Sequence, residues 1–258
     1  MRFASLGSGS SGNATVIQTK AVGSKTTILL DCGFSLKETK RRLARLKLYL
    51  EEIDAIVVSH EHTDHINGVL NVAKSINKPI YTSWGTAAAS NILNENIICH
   101  FLESGVYFSI GNLQIEPFTV PHDAREPLQF IFKNGVKRLG VLTDTGIPTK
   151  IIINKLKTCH SLILECNYDK NMLIKGNYAL KLKERIAGDF GHLSNDSAIE
   201  ILNQVKHSNL QYVVAAHLSK ENNSKEIVQS LLSKALNDQP ENILIADQEL
   251  GINWLEIN

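Results

Sequence analysis

Residues 60–65 read His60-Glu61-His62-Thr63-Asp64-His65. Three imidazoles and a carboxylate within six positions are a set of side chains that can hold a divalent metal ion. His60 and His62 are too close to share a helix face, which requires spacings of three or four. Extended chain puts alternate residues on one side, so both can face one point. Nitrogen and oxygen donors of this kind suit zinc, manganese or iron. The competing reading is a polar loop that is rich in histidine by accident, and this density of ligand types argues against it. One short segment can feed two metals but cannot complete both shells. Further ligands are therefore expected at strand ends, where loops carry chemistry. His122 in Pro121-His122-Asp123, Asp144 in Asp144-Thr145-Gly146 and His217 in His217-Leu218-Ser219 each follow a β-run. Singly each is a weak signal; with the first segment they make a set.

The elements that must position these residues can be read from periodicity and turn residues. Arg2–Leu6, Ala14–Thr19 and Thr26–Asp31 have strand character, the last two separated by a turn near Gly23-Ser24. Ser35 and Glu38 have capping-box spacing, and Leu36, Leu43, Leu46 and Leu50 follow at helical intervals. Ala55–Ser59 reads as a buried strand that runs straight into His60. Helices are predicted over Asn67–Asn77 and Trp84–Leu93, with strand Pro79–Thr82 between them. Val106–Ile110, Leu113–Val120, Leu128–Phe132 and Arg138–Thr143 are predicted strands with Gly/Asn turns between them. Strand Ser161–Glu165, helix Ala198–Val205, strand Gln211–Ala216, helix Ser224–Leu236 and strand Asn242–Ala246 complete the reading. Strands bunched within each half predict two sheets packed together with helices outside. No linker or composition shift divides the chain, so one domain over residues 1–258 is expected.

The ligand segments, in this order and over nearly the whole chain, resemble the metallo-β-lactamase superfamily. The resemblance implies an α/β (α+β) fold, a four-layer αββα sandwich of two mixed sheets with the metal site at one edge. It implies two divalent metal ions. His60, His62 and His122 would hold one, and Asp64, His65 and His217 the other, with Asp144 as the bridge. A hydroxide held between the ions is then the nucleophile, because metal binding lowers the pKa of water to about 7. Asp31, in Leu-Asp-Cys-Gly, sits where the family has an acidic residue behind its histidine ligands. It either accepts a ligand N–H or merely ends a strand.

The metal ligands alone do not choose a substrate. His192, in Gly191-His192-Leu193-Ser194-Asn195, is surplus to the ligand set and resembles the extra histidine of the phosphodiesterase branch. There such a residue protonates the leaving oxygen. Glu165 resembles the acidic residue that orients it, and a carboxylate there would raise the imidazole pKa. Capping of the next helix is the plainer role for His192. Asp64 would act both as ligand and as proton acceptor. In the loop Gly7-Ser8-Gly9-Ser10-Ser11-Gly12-Asn13, the side chains of Ser8, Ser10, Ser11 and Asn13 are candidate phosphate binders, as are Ser194 and Asn195. That loop, Leu-Glu-Cys-Asn-Tyr-Asp at 164–169, residues 185–195 and Ala-His-Leu-Ser-Lys-Glu-Asn-Asn at 216–223 resemble the YycJ (WalJ) type of bacterial metallo-β-lactamase-fold exonuclease. That resemblance implies 5′→3′ exonuclease action, with DNA weighed above RNA as the nucleic acid partner.

Composition sets the limits. The chain has 258 residues, with Lys+Arg 27 against Asp+Glu 26, so any nucleic-acid contact must come from a local patch. One candidate patch is Lys37, Lys40, Arg41, Arg42, Arg45 and Lys47, for which a solvated helix face is the plainer reading. Lys175, Lys181, Lys183 and Arg185 lie closer to His192 in sequence. Tyr168 and Tyr178 are candidates to stack on bases, though tyrosines in such loops more often pack. Trp84 and Trp254 are expected in the core. No apolar stretch approaches a membrane span, no secretory signal is expected at the N-terminus, and four dispersed cysteines fit a reducing cytoplasm. The intervals 123–143 and 145–216 leave no room for an inserted tRNA-gripping arm or an added nuclease domain. The alternative activity is a small-molecule hydrolase of the same fold, either a cyclic phosphodiesterase or a glyoxalase-type thioesterase. A non-catalytic scaffold would be expected to lack ligands, and none is missing.

Overall fold

The computed structural model describes residues 1–21 and 23–258. Its strands form two sheets, each seven-stranded among the described residues. The first sheet is built from β1 (Arg2–Gly7), β2 (Ala14–Ala21), β3 (Ser24–Leu30), β4 (Ala55–Val57), β5 (Ile80–Thr82) and β6 (Cys99–Phe101). The second holds β7 (Phe108–Ile110), β8 (Leu113–Thr119), β9 (Leu128–Asn134), β10 (Lys137–Leu142), β11 (Ser161–Glu165), β12 (Tyr212–Ala216) and β13 (Leu244–Ile245). The chain then returns to the first sheet as β14 (Leu255–Glu256), paired with β1. Each half follows one plan. An antiparallel run, β1-β2-β3 or β7-β8-β9-β10, passes into a parallel run, β3-β4-β5-β6 or β10-β11-β12-β13.

Parallel strands need crossovers, and helices supply them. They are α1 (Leu36–Arg45), α2 (Thr63–Ile66), α3 (Val69–Ile76), α4 (Trp84–Ala89), α5 (Lys150–Leu156), α6 (Lys170–Lys175), α7 (Leu180–Ala187), α8 (Asn195–Val205) and α9 (Lys225–Leu236). Side-chain alternation sorts the strands into layers. On β3, Ile28 and Leu30 face the second sheet while Leu29 faces the helices; on β11, Ile163 faces inward while Leu162 and Leu164 face α5 and α8. The result is the αββα order expected from the strand pattern and the resemblance.

Boundaries moved where short-range signals misled. The helix expected over Trp84–Leu93 stops at Ala89, and a 3₁₀ turn at Ile92–Asn94 follows. Ser83 Oγ caps it by accepting the Thr86 N–H, and the small residues Gly85 and Ala87 are the ones that turn inward. Trp84 is therefore 57% exposed rather than in the core. Trp254 does pack partly against the first sheet and its helices, under the Arg2 guanidinium. The capping box at α1 is half formed. Ser35 Oγ accepts the Glu38 N–H, but the Glu38 carboxylate turns to Arg41 and Arg42. Arg42 is buried, donates to the carbonyls of Leu6 and Gln248, and lies over the Phe34 ring. Arg45 donates to the Ser5 carbonyl. Arg42 and Arg45 thus fasten α1 to β1, whereas Lys37, Lys40, Arg41 and Lys47 are exposed, as a solvated face would be.

A buried ion cluster fastens the second sheet. Glu116 on β8 lies 2.7 Å from Lys133 Nζ on β9 and 2.5 Å from Lys155 Nζ on α5. Burial alone would raise the Glu116 carboxyl, but the two ammonium groups overcome it and hold the group at about 2. A depressed carboxyl contributes stability above its ordinary 4.5 and loses it as pH falls from there toward 2. Glu116→Gln is expected to lower the melting temperature at pH 7 by several degrees, at about 2–4 °C per kcal/mol for a domain this large. The variant should also lose less stability than wild type between those two pH values. Melts across that interval that stay parallel to wild type would contradict this.

Candidate metal centre

Most of the site residues leave the carboxyl ends of strands, while Asp64 and His65 lie on α2 and His192 lies between α7 and α8. Asp31 follows β3, Ser59 and His60 follow β4, Asp144 follows β10, and His217 follows β12, while Glu165 ends β11. Asp31, Asp144 and His217 all have φ near +57°, a conformation that costs a non-glycine residue roughly 1–3 kcal/mol. Each turns the chain sharply off its strand. The His60–His65 loop is clamped by backbone. Asn13 N–H donates to the Asp64 carbonyl and Cys32 N–H to the His65 carbonyl, both at 2.7 Å. Gly33 is required there, because a Cβ on it would lie 1.9 Å from the Asp64 carbonyl oxygen.

Donor atoms of His60, His62 and His122 lie within 4.8 Å of one another, and so do those of Asp64, His65 and His217. Asp144 stands between the two groups, 3.0 Å from His65 Nε2, 3.6 Å from His217 Nδ1 and 3.9 Å from His122 Nε2. The structure thus brings together every residue expected as a ligand, and two further groups overlap these, Asp144 with Glu165, His192 and His217, and His60 with His65 and Asp144. A cation fits this set on a direct observation. His60 Nε2 and Asp144 Oδ2 are buried side-chain atoms that lack a hydrogen bond, an arrangement that costs free energy unless something binds them.

Behind the donors lies a layer of hydrogen bonds that aims them. Ser59 Oγ donates to Asp31 Oδ2 at 2.9 Å and accepts from His60 Nδ1 at 2.9 Å, leaving Nε2 of His60 turned to the centre. Asp31 also accepts from His65 Nδ1 at 2.9 Å and from Ser59 N–H. His122 Nδ1 donates to the Gly191 carbonyl. Glu165, fully buried, serves two rings. Its Oε1 accepts from His192 Nδ1 at 2.8 Å and lies 3.2 Å from His217 Nδ1. Its Oε2 accepts the Thr145 N–H. His192 is therefore held by Glu165, while Ser194 caps α8 in its place.

The electrostatics divide the histidines. Burial, followed by the neighbouring rings, holds His60 well below its ordinary value and lowers His122. Both present a neutral nitrogen. Burial also opposes charge on His65 and His217, but the carboxylates win. Asp144 and Asp31 raise His65 well above its ordinary value, and Asp144, Asp64 and Glu165 raise His217 to about 10. Burial works against ionised Asp64 and Asp144, yet their imidazole neighbours hold both well below the carboxylate range. For His192, burial is outweighed by Glu165 and Asp144, and its pKa rises.

The centre opens into a cleft of about 550 Å³. Its lining includes Ser10, Ser11, Thr63 and Asn67 from the first half of the chain and Tyr178, Leu182, Arg185 and Ile186 from the α6–α7 segment. Four residues expected to bind phosphate have other work. Ser8 is buried and its Oγ accepts the His217 N–H at 2.9 Å. Asn13 is buried and its amide donates to Asp64 Oδ2 at 3.1 Å. Ser194 caps α8, and Asn195 exchanges two amide hydrogen bonds with Asn223. The reason is steric. The Gly/Ser loop folds back onto the site, so only its tip, Ser10 and Ser11, reaches the cleft. Tyr168 is buried, whereas Tyr178 lines the cleft. Lys183 Nζ donates to the Ile174 carbonyl and Arg185 pairs with Asp123, so that basic group is partly committed to the fold. Sequence reading missed Ser59, Gln248, which binds Ser11 N–H, and the amide of Asn167 on the His217 carbonyl. Asn167 lies inside a segment already singled out; Gln248 carried no local signal.

Residues 26–217 match the family described as the beta-lactamase superfamily domain. The chain is 35% identical over 231 residues to exodeoxyribonuclease WalJ of Streptococcus pneumoniae, covering 88% of this chain and 84% of that one. It is 32% identical over 242 residues to exodeoxyribonuclease YycJ of Bacillus anthracis, covering 93% and 90%. Among solved structures, the metallo-beta-lactamase fold protein YhfI of Bacillus subtilis matches with a TM-score of 0.75 over 98% of both chains, at 14% identity.

Asp31→Asn keeps the side-chain shape and tolerates the left-handed backbone, but it weakens the acceptor behind His65. Metal affinity is expected to fall about 10–100-fold, measured by calorimetric titration with Zn²⁺ or Mn²⁺. Protons on His65 and His217 compete with the ion for the same nitrogens, so wild-type affinity should rise with pH and uptake should release protons. Unchanged affinity in the variant would remove Asp31 from the site's support.

Proposed function

The chain belongs to the beta-lactamase superfamily, and we propose that within it this protein is a binuclear metal-dependent phosphodiesterase, acting as a 5′→3′ exonuclease on DNA. The observation that carries this reading is the placement of His192. Its Nδ1 is tied to the buried Glu165 and its ring sits 5.3 Å from that of His217 and 5.4 Å from that of His122. A thioesterase has no need of such a pair. The names of the two relatives support the choice of DNA.

In this reading His60, His62 and His122 would hold one divalent ion and Asp64, His65 and His217 a second, with Asp144 available to either. Zinc and manganese suit these nitrogen and oxygen donors, and iron is compatible with them. Such ions supply a hydroxide nucleophile at neutral pH and neutralise phosphate charge. The chain's own residues do the rest. Asp64 accepts the proton of the attacking water. His192, kept protonated by Glu165, gives its Nε2 proton to the leaving oxygen. Ser10 and Ser11 lie across the cleft, where they can reach phosphate oxygens. Among the described residues no helix is long and apolar enough to cross a membrane, and we place the protein in the cytoplasm with its substrate.

A small phosphodiester is the second reading, and one observation favours it. The cleft is of the size that takes a small ligand, roughly 300–1,000 Å³.

The test sets wild type beside His192→Ala, with Mn²⁺ or Zn²⁺. Substrates are 5′-phosphorylated, end-labelled single- and double-stranded DNA, matched RNA, and bis-p-nitrophenyl phosphate. Wild type should shorten DNA stepwise from the 5′ end. The variant should lose about 10²–10⁴-fold on DNA but much less on the nitrophenyl ester, whose leaving group needs no proton. Equal losses on both would sink the acid role. Turnover of the small ester with every polymer intact would favour the second reading.

A further inference from the structure

The two walls of the cleft differ in kind. Ser10, Ser11, Thr63 and Asn67 offer hydroxyls and an amide, while the α6–α7 segment offers the Tyr178 ring and the aliphatic Leu182 and Ile186, beside the Arg185 guanidinium that pairs with Asp123. The apolar wall belongs to the α6–α7 segment, which stands on a small core of its own made by Tyr168, Leu173 and Ile186, with Tyr178 packed against it. It is joined to His192 directly, because His192 N–H donates to the Ile186 carbonyl at 2.9 Å. The apolar wall is therefore on the side of the candidate acid, and a phosphodiester's leaving group must lie on that same side. Leu182 is 37% exposed, an apolar side chain that lines a largely polar cleft.

We propose that Tyr178 and Leu182 hold the nucleobase of the nucleotide that departs, so that the cleft accepts an unpaired terminal nucleotide and not a paired one. This rests on the phosphodiesterase reading above. Water adds to phosphorus, the P–O3′ bond breaks, and the 3′-oxygen keeps the bonding pair and takes the proton from His192 Nε2. The proton lost by the water passes to Asp64 and from there to solvent, solvent reprotonates His192, and one water is consumed. The terminal nucleoside 5′-phosphate leaves from the apolar wall, and the shortened strand keeps the new 5′-phosphate on the serine side. A base in a duplex is already stacked and paired, and it must be splayed out to meet an aromatic face.

The test uses the full chain and separates binding from turnover. Binding of dTMP is measured at equilibrium in wild type, Tyr178→Ala, Tyr178→Phe and Leu182→Ser. Kinetics are measured on 5′-phosphorylated DNA with blunt or unpaired 5′ ends, and on bis-p-nitrophenyl phosphate, which has no base. Tyr178→Ala should weaken dTMP and raise KM for DNA about tenfold, with kcat and ester hydrolysis near wild type. Tyr178→Phe should retain binding, and Leu182→Ser should lose several-fold without disturbing the small core. Wild type should prefer the unpaired end. Absence of dTMP binding in wild type, or unchanged dTMP affinity in both Tyr178→Ala and Leu182→Ser, overturns the proposal. So does an equal loss on the ester, which would make the wall mere support for His192. If dTMP binds through Tyr178 while no DNA is degraded, the exonuclease reading fails and the nucleotide site stands.

Discussion

Asp144 is the constraint on which the rest depends. Its side chain is almost wholly buried, with Oδ2 lacking a hydrogen bond and His65, His192 and His217 all within 3.6 Å. A buried carboxylate is very costly unless opposite charge is held close to it. Protonated imidazoles can supply that charge, and so can divalent ions. The same crowding raises the pKa of His65 and His217, so protons and a metal ion compete for the same nitrogens. Three residues of the site hold left-handed backbone so that the donors can converge. Strain of that kind persists only where the surroundings over-determine it.

Those surroundings are hydrogen bonds and close backbone contact. The chain His60, Ser59, Asp31, His65 runs behind the donors and fixes which ring nitrogen points inward. Glu165 does the same for His192 and His217. The Gly/Ser loop supports them from the other side. Ser8 holds the His217 backbone, Asn13 holds Asp64, and Gln248 from the C-terminal region ties Ser11 and Gly12 down. Arg42 links the same region to β1. A loop that is rich in glycine and serine thus acts mainly as scaffold and exposes only its tip.

Two layers of different rigidity result. The donors sit at strand ends and on α2, held by backbone and by buried hydrogen bonds. The α6–α7 wall rests on a few side chains and an exposed ion pair between Arg185 and Asp123. Segments with so little buried apolar contact open most readily. The chemistry is therefore placed on the stiff layer and substrate contact on the softer one.

Much of this was legible in order along the chain. The 60–65 segment, His122, Asp144 and His217 announce themselves because ligand types are dense or follow β-runs, whereas Glu165 and His192 were legible only through the family resemblance. Strand alternation announces the two-sheet sandwich, because side-chain direction along a strand is a local property. Local signals failed where small residues decided the outcome. Trp84 is outside because Gly85 and Ala87 pack better, and α4 is short because Ser90 turns extended. Nor could sequence divide the Gly/Ser loop into buried Ser8 and Asn13 and exposed Ser10 and Ser11. That depends on Asp64, His217 and Gln248, which lie about 50–240 positions away. The kinds of donors and their order were determined by the sequence itself, since chemistry belongs to side chains. Which atoms meet, which ring nitrogen faces inward and which wall is apolar were decided by tertiary structure, because distance and burial arise only when remote segments share one edge.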